Sequence, residues 1–144
     1  MTQDLLVNIG EEFFVREQLD SVELRVGLYN DSVDDLTAES NYDDITTEPT
    51  EGDNYAVIES TFTASNIDGN WGIQNDVEHE FDFSDTTDDS VEIDTAFVLA
   101  NFDSIEAGTT DWHLIGNPSL SQNRKVGSID LLDIGVGDLE LKLD

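Results

Sequence analysis

The sequence predicts an all-β fold, an antiparallel β-sandwich of jelly-roll or Ig-like type, with a short N-terminal helix ahead of it. Two observations carry the prediction. Apolar residues alternate with polar ones over short segments, and turn signals separate those segments at regular intervals. Val22, Leu24, Val26 and Leu28 alternate with Glu23, Arg25 and Gly27, and Val77, His79, Phe81 and Phe83 alternate with Glu78, Glu80 and Asp82. Successive strand side chains point to opposite faces, so each run buries one face and wets the other. About seven such strands at this spacing match a two-layer antiparallel architecture.

The elements follow in order. Residues 1–20 form a helical, anchoring segment: Thr2 can cap its start, Asp4 favours the positive end of the helix dipole, and Leu5 or Leu6, Ile9, Phe13 and Phe14 recur at helical spacing. Gly10 weakens that helix and places its alternative start at Glu11. Residues 21–144 form one β-sandwich domain. The Val22 strand ends at the turn signal Tyr29-Asn30-Asp31-Ser32. Residues 31–54 read as a long acidic loop with few core residues, either solvated or serving as a contact arm to a neighbouring subunit. Strands are expected over 55–63, 77–83, 91–102, 111–115, 128–134 and 139–143. Asp68-Gly69-Asn70, residues 84–90, residues 103–109 and Gly135-Val136-Gly137-Asp138 are the turns between segments. The apolar run 91–102 is expected at the centre of a sheet.

Charge is the strongest compositional signal. The 144 residues hold 34 Asp plus Glu against five Lys plus Arg, a formal net charge of −29. Self-repulsion at this density opposes compaction, and molar salt screens it by shortening the Debye length to about 3 Å. A protein adapted to high salt is therefore expected. Phosphate contacts need clustered Lys and Arg, and Arg124-Lys125 is the one adjacent basic pair, so nucleic acid is not an expected partner. No run approaches the ~20 apolar residues of a membrane span, and the first basic residue is Arg16, so neither a membrane segment nor a signal peptide is expected. With no cysteine, disulfides and thiolate chemistry are excluded.

The search for catalytic chemistry finds little. His79 lies on the apolar face of its strand, where a satisfied core histidine is the plainer reading, and His113 is expected to face solvent. No nucleophile elbow, phosphate-cradling glycine loop or His-Glu-x-x-His motif is present. Carboxylate pairs are too abundant for any one to be singled out as an acid–base couple. No cofactor and no enzymatic activity are expected. The turn Asp85, Asp88 and Asp89 is the one candidate cation site for a bound divalent or monovalent ion, since hard cations take oxygen ligands, but its spacing does not match an EF-hand and a solvated turn is the plainer reading. Val26, Leu28, Trp71, Phe81, Phe97 and Trp112 are assigned to the core. Phe13, Phe14, Tyr42 and Pro49 are candidate subunit contacts, because two adjacent aromatics on a short helix cannot both face inward.

Several segments, in order along the chain, resemble a family of small structural proteins encoded by tailed viruses of bacteria and archaea. Asn8-Ile9-Gly10-Glu11-Glu12 resembles the family's opening helix start. Val22 to Asn30, VELRVGLYN, is similar to its first strand, and Glu48 to Ala56, EPTEGDNYA, to its Glu-Pro-x-Gly-Gly-x-Tyr-Ala passage. Val77 to Phe83 corresponds to its alternating Phe strand, and Gly127 to Leu143 to its ending with Gly-Asp-Leu. Val57 departs from the pattern, which often has Arg there. The resemblance implies a location in the virion and, with the charge, a virus of halophilic archaea. It implies an external capsid decoration or turret subunit that joins copies of itself and other virion proteins such as the major capsid protein. A tail or baseplate component in contact with the host is the alternative. A carbohydrate-binding module is the reading from another class, since fold does not imply function.

Overall fold

The computed structural model describes residues 9, 12, 15–16, 22–50, 54–88, 90–101 and 112–143. Ile9, Glu12, Val15 and Arg16 are helical; the rest of the expected N-terminal helix, with Phe13 and Phe14, lies outside the described residues. The body is built of antiparallel strands. In chain order they are β1 (Glu23–Tyr29), β2 (Ile58–Ser60), β3 (Phe62–Ile67), β4 (Asn70–Asn75), β5 (His79–Asp82), β6 (Glu92–Asn101), β7 (Trp112–Gly116), β8 (Ser119–Lys125), β9 (Leu131–Ile134) and β10 (Glu140–Lys142). One short helix, α1 (Asp31–Asp34), follows β1.

The largest sheet runs β2-β1-β6, with β7 and β8 end to end along the far side of β6. A second sheet has the order β10-β4-β3, and β5 pairs with β9. Strand β6 is central, as its apolar length predicts, and pairs with β1 over seven residues from Glu23↔Asn101 to Tyr29↔Thr95.

That register explains where the core sits. Leu24, Val26 and Leu28 stand opposite Ala100, Val98 and Ala96. These six residues form one face of the large sheet and are buried together with Phe81, Phe83, Leu132, Ile134 and Leu139. Each fully buried Val, Leu or Phe stabilises the fold by about 1.5–3 kcal/mol. His79 is buried in this region and shares a 2.8 Å hydrogen bond between its Nε2 and Ser60 Oγ. Burial lowers its pKa against the opposing charge of Asp76, which favours the neutral ring.

The other face of the sheet is also covered, which the alternation in β1 does not predict. Tyr29, Phe97 and Leu99 form a second cluster against Leu36, Tyr42, Ile45, Val57, Trp112 and Leu114. The acidic stretch, described over 31–50, is largely exposed with Pro49 its one buried residue, as expected of a loop, but three partly buried apolar side chains hold it against the sheet. Leu36, Tyr42 and Ile45 are spaced along it so that α1 and a 3-10 turn at Tyr42–Asp44 lay them on the sheet. Gly27 makes the fit possible. It stands opposite Phe97, and a Cβ at this position would overlap the Phe97 ring.

Four segments differ from the sequence expectation. The run 55–63 splits into β2 and β3 around Thr61. The turn expected at Asp68-Gly69-Asn70 is present, with Asp68 (φ 51°) and Gly69 (φ 93°) the left-handed pair of a type I′ turn, but the strands it joins, β3 beyond Thr63 and the whole of β4, are not expected from the sequence. Residues Ser119–Lys125 form a strand although they are polar and weak strand formers, because β6 supplies a ladder for them. Trp71 and Trp112 are half-buried rather than core residues. The Arg16 guanidinium lies 5.6 Å from the Trp71 ring and that of Arg25 lies 4.1 Å from Trp112. Each indole thus gives an apolar side to the fold and a π-face to a cation.

Where β4 leaves its sheet, the buried Asn75 replaces the missing ladder. Its Nδ2 donates to Val77 O (2.8 Å) and Gly135 O (2.9 Å), and its Oδ1 accepts the Leu139 N–H (2.9 Å). The turn before β10 is thereby tied to β4.

Replacing Gly27 by Ala forces Phe97 off its site between sheet and loop. Overpacking of this kind costs about 1–3 kcal/mol. Urea denaturation of G27A is expected to show that loss, and the double variant G27A/F97L to recover part of it.

Candidate functional site

The described residues concentrate polar chemistry where α1 and the segment 41–50 fold back on β1 and β6. The sequence places acids here far in excess of bases, so ion pairs cannot organise it. Carboxylates do so by accepting hydrogen bonds from the backbone and from hydroxyls. Asp94 on β6 takes the N–H groups of Asp31 (2.7 Å) and Ser32 (3.2 Å) and the hydroxyls of Ser32 (2.5 Å) and Thr95 (2.7 Å). It thereby satisfies the start of α1, where Asn30 makes no side-chain cap. Asp34, at the other end of α1, accepts the N–H groups of Thr46 (3.0 Å) and Thr47 (3.2 Å) and both threonine hydroxyls. Asp31 Oδ1 accepts the Tyr29 hydroxyl (2.7 Å) and the Leu36 N–H (3.0 Å).

Glu48 completes the lacing. Its two oxygens accept the hydroxyls of Tyr42 (3.0 Å) and Tyr55 (2.8 Å), and the Tyr55 oxygen in turn accepts the Leu28 N–H (3.0 Å). That hydrogen bond caps β1 beyond its last pairing with β2, at Val26↔Ile58. Burial and the neighbouring Glu48 charge raise the Tyr42 pKa to about 12 and move Tyr55 in the same direction, so both act as donors at neutral pH. For Asp34 and Asp94 burial pushes the pKa up, but the hydrogen bonds from Thr46 and Thr47, and from Ser32, Thr95 and Asp31, outweigh it and hold both carboxyls below the usual range.

The candidate residues are distributed as follows. Tyr42 and Pro49, expected at a subunit contact, are engaged within the chain: Tyr42 lies 5.4 Å from the Phe97 ring, and Pro49 is buried. Phe13 and Phe14 lie outside the described residues. Asp85 accepts the Asn54 N–H (3.2 Å), Asp88 accepts the Ser90 N–H (2.9 Å) and hydroxyl (2.6 Å), and Asp89 is outside the described residues. Among the described residues no group of three His, Asp or Glu side chains is placed to hold a metal ion. His113 is half-buried rather than solvent-facing. Val26, Leu28, Phe81 and Phe97 are buried as assigned.

The described surface has shallow clefts. One of about 350 Å³ lies between residues 46–50 and 86–92 and is lined by Thr47, Pro49, Thr86 and Val91 among others. Another, of about 260 Å³, lies beside β8. Neither brings together a nucleophile, a base and an orienting group. Comparison with known proteins finds no family model, no curated protein and no solved structure that matches this chain. Among the described residues no helix is long and apolar enough to cross a membrane.

One feature of the surface is legible in the sequence but hidden by its average composition. Residues 112–129, 18 positions, contain none of the 34 Asp and Glu. Other acid-free runs end within eight residues, as at 60–67 and 95–102. The long run is β7, β8 and the turn that follows them.

The depressed pKa values fix a pH dependence. A carboxyl whose folded pKa lies below its unfolded value, about 3.9 for Asp, contributes full stability above that value and loses it as pH falls toward the folded pKa. In molar salt, where general repulsion is screened, acidification below about pH 4 is expected to loosen residues 31–50 before the β6 core, seen as earlier loss of amide-exchange protection. The substitution D34N is expected to cost about 1–3 kcal/mol and to flatten this part of the acid transition; an unchanged transition would count against the pinning role.

Proposed function

We propose that this chain is a structural virion protein of a tailed virus of halophilic archaea, a subunit on the outside of the capsid that works by protein–protein assembly. The observation that carries the reading is the use made of the carboxylates. Those drawn into the fold hold its own long loop through hydrogen bonds, and most of the other described ones are exposed. Acids do line the described clefts, Glu48, Asp88 and Glu92 in one and Asp133 and Asp138 in the other, but no nucleophile and base stand together there. An antiparallel two-layer β-sandwich fits the burial pattern, in which the β5–β9 pair lies over one face of the large sheet. Such a body is rigid, and its acidic coat keeps it dispersed in brine. The ordered sequence resemblance to structural proteins of tailed viruses supports the same role. Partners are further copies of the chain and other virion proteins such as the major capsid protein, and no catalytic activity or cofactor is assigned.

Adaptation to salt is part of this reading. Like charges stand directly opposite each other at Glu80 and Asp133, cross-strand partners on β5 and β9. The Asp133 charge raises the Glu80 pKa. Such a pair opposes strand pairing unless it is screened. Among the described residues only two ion pairs offset the acids, Arg16–Glu12 at 3.2 Å and Arg25–Glu59 at 3.9 Å.

Denaturation midpoints are expected to rise steeply between 0.1 M and 3 M NaCl. Tagged protein is expected to co-sediment with purified capsids in high salt and to decorate heads rather than tails in electron micrographs. Equal stability at both salt concentrations would sink the salt reading. Label confined to tails would move the protein to the baseplate, and binding to neither would remove the virion assignment.

A further inference from the structure

We propose that β8, Ser119–Lys125, is the edge through which two copies of this chain pair, strand to strand and antiparallel, about a twofold axis. The inference deepens the assembly reading above and rests on it only in that copies of the chain join one another. It does not depend on which particle they occupy.

Three observations place the contact. The first is the open ladder. Strand β8 pairs with β6 at Ser119, Arg124 and Lys125, with residues 120–123 bulged outward between them, and among the described residues no strand pairs with its outer side. Ser119, Ser121, Gln122, Asn123 and Lys125 are exposed. Natural edge strands are ordinarily blunted by charge against this kind of pairing. Ser119–Asn123 carries no charge in a chain with a net charge of −29.

The second is electrostatic and selects the occupant. Two copies approaching through most of the surface bring carboxylates against carboxylates. The 112–129 run is the longest stretch of sequence free of acids, and it contains Arg124 and Lys125, two of the five basic residues, at the end of β8. The strand contributes no carboxylate of its own and has two cations at its C-terminal end; the neighbouring Glu92 accepts the Asn123 amide (3.1 Å), so the strip is less negative than the rest of the surface and gains in the field of a second acidic copy. A twofold arrangement makes the contact self-complementary, since the same patch serves both partners.

The third is contact area. β7 and β8 follow β6 from Asn101 back to Glu92, so the edge extends about 30 Å at ~3.3 Å per residue. Beside β8 lies the groove of about 260 Å³, in which Leu120 is flanked by the polar Ser121 and Gln122 and by Asp133 and Asp138. It adds polar contacts to the main-chain hydrogen bonds of a strand pair, and its two carboxylates lie within reach of the basic end of a partner's strand.

The natural chain has no cysteine, so one introduced thiol reports on one position. S121C, Q122C and N123C would each be oxidised mildly in 3 M NaCl and run on non-reducing gels, with T63C on the exposed β3 edge as control. At least one β8 variant is expected to form a crosslinked dimer as its main product while T63C stays monomeric. The double variant S121D/N123D, with an unchanged circular dichroism spectrum, is expected to sediment as half the mass of the wild type. If the wild type is oligomeric but the β8 thiols crosslink no more than T63C, the edge is wrong and assembly through another face stands. If the wild type is monomeric at every concentration and salt level, pairing of copies falls altogether.

Discussion

Everything in this structure is conditioned by a shortage of cations. With five basic residues for 34 acidic ones, the chain cannot neutralise its carboxylates by pairing them. Each is left to face solvent or to find N–H and O–H donors. Charge-assisted hydrogen bonds of this kind are about twice as strong as neutral ones, and the fold places them where they do structural work. Asp94 holds the start of α1, Asp34 holds Thr46 and Thr47, and Glu48 holds two tyrosines. Acidic residues that repel one another at long range thus act at short range as the clasps of a long connection.

The clasps matter because the loop they hold closes the second face of the central sheet. Without Leu36, Tyr42 and Ile45 in place, the ring of Phe97 over Gly27 would be open to water. The acidic pins and the second apolar cluster are therefore coupled. Hydrogen bonds to carboxylates position the loop, and burial of Phe97, Tyr29 and Leu99 rewards that position. The cation–π contact between Arg25 and Trp112 lies at the margin of the same cluster. It shows one of the few positive charges spent on a ring rather than only on an acid.

Strands with alternation or a long apolar run were legible in the sequence. In β1 and β5 the local period marked Val26, Leu28 and Phe81 as buried, whereas Phe97 was assigned through its size and the apolar length of β6, whose two faces are both covered. β8 was not legible. Ser119–Lys125 has neither alternation nor propensity and owes its conformation to β6, a partner distant in sequence. The covering of the second face was hidden for a related reason. Leu36, Tyr42 and Ile45 are isolated among acids, and only the tertiary hydrogen bonds of Asp34, Asp94 and Glu48 reveal that the segment is held down. The half-buried tryptophans were misassigned because size alone suggests a core residue, whereas their neighbours are arginines.

Taken with the acid-free run 112–129, this organisation describes a body whose charges divide by place: carboxylates inside the loop as acceptors, exposed carboxylates that repel one another, and a pair of strands that contribute none. The division rests on the claim that Asp34 and Asp94 are ionised and fully hydrogen-bonded in the folded state. Titration of the carboxyl carbons by nuclear magnetic resonance in molar salt tests it most directly. The account predicts that both groups protonate below the value of about 3.9 for an unstructured aspartate. Titration of both at or above that value would contradict it.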